Sequence, residues 1–384
     1  MPVPLPVEPR LGPPDEREVR HLLCGIVTAV APSGGLTSLQ QLLIEATFDA
    51  MTGFTVACAD ASPIDPESFA EGLADRNREF RTRILQVALL AAFVLRPLPA
   101  EVAERVEAFA RALSVDDDML AVARRYASGQ LGLAQFDFQR NGYTAHWSPE
   151  RAQALHTSRE LAEAWELSVD DPELAGRWRA LEDLPEGTLG RGVADFYRAR
   201  GFAYPGLPDS APALLAQHDW VHVLADYGST VESELEVFAL IARANDDPKG
   251  FSLLAMVVSL FETGYLRSGA GLFEAAPGQL SHEGVAVRVA DALRRAALVH
   301  TATSPSVDFL AADWFDLAHL PLDDVRTNFA VPPKSPRAIE AGSVGPFAPG
   351  GMSPYQERRG RDAAAAAGRT YESFGASPPR PPRD

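Results

Sequence analysis

The sequence predicts an all-α protein, two helical regions flanked by disordered termini, and three observations carry that prediction. Apolar residues recur at helical spacing through the middle of the chain. No run of alternating residues punctuated by hairpin turns occurs. Hydrophobic residues make up 46% of 384, ample for a core. Residues 1–17 are Pro-rich and expected to be disordered. Residues 18–150 form one helical region and 151–331 a second, with the boundary near 146–172 where Pro149 and Pro172 interrupt the pattern. Residues 332–384 carry Pro332-Pro333, Gly350-Gly351 and an alanine run, and are expected to be a disordered tail.

In the first region Val102, Val106, Phe109, Ala110 and Leu113 fall on one helical face, and Pro97 and Pro99 end the helix before it. Ile84–Leu95 is apolar nearly all round and so predicts the central, surrounded helix. Asp65 followed by Pro66 is capping chemistry: aspartate at the N-cap, proline at the first helical position.

The net charge of −17 argues against nucleic acid as a partner, which needs a basic face. The two cysteines, Cys24 and Cys58, are too few for a zinc ribbon or a disulfide framework and sit among apolar neighbours. They indicate free thiols and a reducing, cytoplasmic setting. The longest apolar runs, Ile84–Leu95 and Phe251–Phe261, fall well short of the roughly 20 residues that span a bilayer. Peripheral contact with a membrane stays open, as does a homodimer.

The chemistry concentrates in Gln217-His218-Asp219-Trp220-Val221-His222. Histidines four apart share one helical face and supply half of a metal site. Asp219 is one step round and offers an oxygen ligand or an anchor for an imidazole. Glu234 lies sixteen residues past His218, roughly 24 Å along a straight helix, so the chain must turn to bring it back. Gly228-Ser229-Thr230 offers the turn, and Ser229-x-x-Glu232 reads as a capping box that would use Glu232 and leave Glu234 free. Two imidazoles and two carboxylates suit zinc, with iron or cobalt nearly as good.

Other readings fare worse. A zincin needs glutamate where Asp219 stands. An HD-type phosphohydrolase needs a further histidine and a distant aspartate, and nothing recommends His146, His156 or Asp291 for those roles. Gly187, Gly190 and Gly192 follow no strand, which removes a dinucleotide loop; Gly187 reads as a turn residue.

The string H-D-x-x-H-x11-E formed by His218, Asp219, His222 and Glu234 resembles the zinc motif of the ubiquinone (coenzyme Q) biosynthesis protein Coq-four family. Two further segments are similar to that family in the same order: Leu184-Pro185-Glu186-Gly187-Thr188-Leu189-Gly190 upstream, and Asp313-Trp314, Leu320-Pro321-Leu322 and Val325-Arg326 downstream. The resemblance spans about 175–330. It departs at Ser233 and Ala225, where the family often has glycine. Residues 25–70, with the acidic loop Asp60–Glu67, resemble the helical module of tellurite-resistance TerB-like domains.

The first resemblance implies a metal-dependent protein of isoprenoid quinone biosynthesis that decarboxylates and hydroxylates a prenylated aromatic ring at C1. It implies a prenylated aromatic or isoprenoid lipid as ligand and other quinone-biosynthesis proteins as partners. An isoprenoid tail would need an apolar groove, for which Phe196, Tyr197, Phe261 and Tyr265 are candidates, with plain core the preferred reading of each. Two alternatives stand beside it: a non-catalytic scaffold or lipid-binding protein with a structural metal, or a relative acting on another aromatic metabolite.

Overall fold

The computed structural model describes residues 12–134 and 170–378, apart from 132, 209, 212, 214 and 267–276. The described residues form sixteen α-helices joined by turns and short 3-10 segments, with no β-strand among them. The all-α prediction therefore holds.

The first helices are α1 (Glu16–Val30), α2 (Ser38–Thr52), α3 (Pro66–Glu71), α4 (Arg78–Phe93), α5 (Ala100–Ala112) and α6 (Met119–Ala127). Local sequence starts them. Asp15 with Glu18 and Thr37 with Gln40 build reciprocal capping boxes for α1 and α2. Asp65 caps α3 by accepting from the Ser68 amide, with Pro66 at the first position, as predicted. The α4 helix is central: α1, α2, α5 and α6 all pack on it, and Leu85 and Ala88–Leu95 are buried. The predicted face of α5 (Val102, Val106, Phe109, Ala110) and the following Leu113 are buried as well. Cys24 and Cys58 are free thiols, Cys58 buried.

Six more helices follow: α7 (Pro172–Arg179), α8 (Leu189–Arg200), α9 (Gln217–Leu224), α10 (Val231–Ala244), α11 (Phe251–Phe261) and α12 (Val285–Leu298). Then come α13 (Trp314–Leu317), α14 (Leu322–Asn328), α15 (Pro336–Glu340) and α16 (Pro354–Ala366). Here α10 is the hub, packed against α11 and α12. No helix among the described residues is long and apolar enough to cross a membrane.

Two expectations on domain organisation need correction. The regions 18–150 and 151–331 are not separate bodies, because α12 packs on α2 and α11 on α4 in one continuous core. Polar contacts cross the same seam: Gln86 donates to the Pro248 carbonyl at 2.8 Å, Arg83 to the Asn245 carbonyl, and the Leu98 amide to the Tyr265 hydroxyl at 2.7 Å. Neither set of amphipathic helices covers its own apolar surface, so each serves as the other's core. Most of the expected boundary lies outside the described residues; Asp171 simply caps α7.

The tail is not disordered over 332–378. It folds into α15 and α16, buries Ala338, Ser343, Met352, Gln356, Ala364 and Ala376, and packs on α12 and α8. At the other end, Asp15 already caps α1, so order begins before residue 18. Residues 1–11 and 379–384, also expected to be disordered, lie outside the described residues.

Candidate metal centre

The α9 helix carries His218, Asp219 and His222, all buried. Their ligating atoms lie within 4.8 Å of one another, so this group could hold a metal ion. The chain turns back after α9, as the spacing required, and α10 brings Glu234 over both imidazoles. Its Oε1 lies 3.3 Å from His222 Nε2 and its Oε2 3.4 Å from His218 Nε2. Asp219 Oδ1 is 3.5 Å from His218 Nε2.

The turn differs in detail from expectation. Ser229 does not cap α10; Thr230 does, accepting from the Ser233 amide. Ser229 is instead buried and its hydroxyl faces Arg200 and Gln356. Glu232 pairs with His282 at 3.2 Å and stays beside the Thr230 cap rather than closing a box with Ser229. Thr230 is as good a cap by residue type as Ser229, and what selects it is burial of the Ser229 side chain.

Both imidazoles are oriented by backbone. His222 Nδ1 donates to the Gly228 carbonyl at 2.6 Å, and His218 Nδ1 donates to the Leu215 carbonyl. A carbonyl only accepts, so each Nδ1 carries a proton and Nε2 is the nitrogen left to face inward. His222 Nε2 is fully buried and has no hydrogen-bond partner. The inward nitrogens face carboxylate oxygens, so the group calls for positive charge there, which a proton on an imidazole or a bound cation supplies. Two donors on a tetrahedral ion, each about 2.0–2.1 Å from it, lie about 3.4 Å apart. The three separations at the site are 3.3, 3.4 and 3.5 Å. The donor set and its spacing fit a divalent cation.

The charge balance agrees. Burial lowers the His218 pKa, but Asp219 and Glu234 outweigh it and push the imidazole up to about 9. Burial raises the Glu234 pKa, and His222 and His218 override it, holding the carboxyl far below the usual carboxylate range. The pocket thus attracts positive charge onto the inward nitrogens. Asp219 is steadied from outside: the buried Tyr197 hydroxyl donates to its Oδ2 at 2.5 Å, leaving Oδ1 toward the histidines. Burial and the Asp219 charge keep that phenol protonated.

The two flanking motifs converge on α9. The Leu184–Gly190 turn pairs with the 318–322 segment: the Leu189 amide donates to the Leu320 carbonyl at 3.0 Å, Gly190 to Ala318 at 2.9 Å, and Leu322 to Gly187 at 3.0 Å. Gly187 has φ 84°, the left-handed conformation that its turn role predicted. Trp314 stacks on Trp220 of α9 at 6.0 Å, and Arg326 Nε caps the C-terminus of α9 through the Leu224 carbonyl at 2.8 Å.

The groove candidates are core, the reading preferred for each. Phe196 stacks on His222, Tyr197 serves Asp219, and Phe261 and Tyr265 are buried at the seam between the two halves. Sequence reading missed Phe196, Tyr197 and Arg200 as supports; their i, i+1 and i+4 placement on α8 was the available signal. Among polar residues, it also missed Gln356, whose Ser353-x-x-Gln356 capping box was legible.

No protein-family model, curated protein or solved structure matches this chain.

Proposed function

We propose that the chain is a metal-dependent protein of isoprenoid quinone biosynthesis, acting on a prenylated aromatic ring and assisting loss of its carboxyl at C1 with hydroxylation there. A zinc-like ion would be held by His218, Asp219, His222 and Glu234. The observation that carries the reading is the set of buried nitrogen and oxygen ligand atoms spaced at 3.3–3.5 Å, with His222 Nε2 left without a hydrogen-bond partner. Support for the chemistry comes from the three motif segments: far apart in sequence, they pack around one helix, as parts of a single functional unit would.

An ion bound there would supply Lewis acidity toward the ring carboxylate or adjacent phenolate. The protein's part is positional. Gly228 and Leu215 hold the imidazole tautomers, Tyr197 fixes which Asp219 oxygen points inward, and burial of His222 and Glu234 closes one side to water. The opposite side, at His218 and Asp219, retains the site's largest solvent access, with side chains 11% and 9% exposed. A ring would enter there. The hydroxylation requires oxygen, a second metal or a partner protein as electron acceptor, since zinc passes no electrons.

A second reading, a structural ion in a scaffold or lipid-binding protein, is favoured by the near-complete burial of all four ligands. Metal analysis of the purified chain, with mass spectrometry of co-purified lipid, tests the proposal. The cobalt-loaded protein separates the readings: a spectrum that shifts when a hydroxybenzoate is added means an open coordination position, and an unchanged one means a closed structural site. Less than one tenth of an equivalent of metal after reconstitution would remove both.

A further inference from the structure

We propose that the C-terminal segment 344–356, locked by Arg200, is the outer support of the metal centre and sets the orientation of His222; this rests on the metal reading above. His222 is oriented by the Gly228 carbonyl, and Glu234 by where α10 begins, so both depend on the Gly228–Thr230 turn. That turn satisfies its backbone through the tail. The Gly228 amide donates to the Val344 carbonyl at 2.9 Å and the Ser229 amide to the Gly351 carbonyl at 2.8 Å. The Ser229 carbonyl accepts from Gln356 Nε2 at 2.6 Å, and its hydroxyl donates to Gln356 Oε1 at 3.0 Å. Without the tail, three backbone groups of a buried turn lose their partners.

Arg200 ties this assembly to the imidazole. Its guanidinium is fully buried, donates to Ser229 Oγ at 2.5 Å and to the Pro346 and Gly351 carbonyls at 2.9 and 3.0 Å, and lies 3.8 Å over the Phe196 ring. Phe196 in turn stacks on His222 at 5.2 Å. The tail reaches this position because α16 lies flush on the end of α8. A Cβ at Gly360 would sit 2.1 Å from the Ala199 carbonyl oxygen, so only glycine permits that approach. Arg200, Ser229 and Gln356 are positioning residues: they touch the turn, the turn holds His222, and His222 faces the ion.

The test uses the full-length protein and cobalt as probe. Gln356→Glu keeps the capping oxygen for Ser353 and the acceptor for the Ser229 hydroxyl, but sets a carboxylate against the Ser229 carbonyl. Ser229→Ala removes the hydroxyl's bonds to Arg200 Nε and Gln356 Oε1 and decides the matter if the first variant does not fold. Arg361→Ala, in an exposed pair with Glu357, is the control. Titration of apo protein well below every variant's melting temperature should show cobalt bound about tenfold more weakly, or worse, in both test variants, with an altered visible spectrum. The control should match the parent. The Nδ1 proton of His222 in the apo proteins gives a metal-free readout: one downfield signal, hydrogen-bonded to the Gly228 carbonyl, in the parent, and a shifted or exchange-broadened one in the variants. Folded variants that bind cobalt within twofold of the parent and keep the parent signal would overturn the proposal. If the parent takes up no cobalt, the metal reading falls, and an unchanged Nδ1 proton signal then ends the support role too.

Discussion

Glu232 and Glu234 stand two residues apart on α10, and only replacement of Glu234 by glutamine should reduce metal-linked stability. Glu234 lies between two buried imidazoles, whereas Glu232 points to His282, which is half exposed. A metal at 100 times its Kd stabilises the folded state by about 2.7 kcal/mol. For 384 residues, at about 2.1 cal/mol/K of unfolding entropy each, that raises Tm by about 3 °C. Glu234→Gln keeps an amide oxygen but loses the negative charge. A tenfold weaker Kd at the same metal concentration leaves about 1.4 kcal/mol, or roughly 2 °C. Glu232→Gln should retain the full metal-induced rise, and its apo Tm should drop by no more than about 1 °C, since a partly exposed pair is worth about 1 kcal/mol or less. His218→Ala and His222→Ala should show no rise at all. Differential scanning fluorimetry with and without zinc reads all five proteins. A rise lost in Glu232→Gln and kept in Glu234→Gln would refute the assignment of Glu234 as ligand.

Truncation after Val331 should not be silent. It strips Arg200 of two carbonyl acceptors and the Gly228 turn of its partners, so Tm should fall by more than 5 °C, or the chain should fail to accumulate; an unchanged melting curve would contradict the docking of the tail. Residues 18–150 expressed alone should lack a cooperative unfolding transition, because α2 and α4 leave their faces toward α12 and α11 bare; a sharp transition by circular dichroism would restore the two-domain division. Asp117 is a pH-dependent liability. Burial pushes its carboxyl up to about 6 despite bonds from Gln86 and the Met119 amide. Its neutral form is favoured in the fold, so its stabilising contribution is full below about 3.8 and is lost as pH rises through about 6. Above that the ion costs about 3 kcal/mol. Asp117→Asn should gain about 1–2 kcal/mol at pH 7.5, after loss of one acceptor, and nothing at pH 4.5. Equal urea midpoint shifts at the two pH values would show that ionisation of Asp117 is not the cause.

What the sequence determined by itself is local. Helical spacing named the class, placed the buried face of α5 and put α4 at a centre; Asp65-Pro66 marked a helix start; two histidines at i, i+4 and a chain forced to turn before Glu234 outlined the metal group. Each depends on contacts within a helix or across one turn, which residue order encodes directly. Tertiary structure decided the rest. Whether Ser229 or Thr230 caps α10 depends on Arg200 and Gln356 drawing the Ser229 hydroxyl into the core, a competition between residues 29 and 127 positions apart in sequence. The segment 332–378 reads as polar, Gly- and Pro-rich chain because it packs by backbone carbonyls and a glycine contact more than by an apolar stripe, and composition records only the latter. The seam between the two halves was invisible for a related reason: an amphipathic helix announces that it has a face to bury, but the partner for that face is chosen only when the other helices are in place.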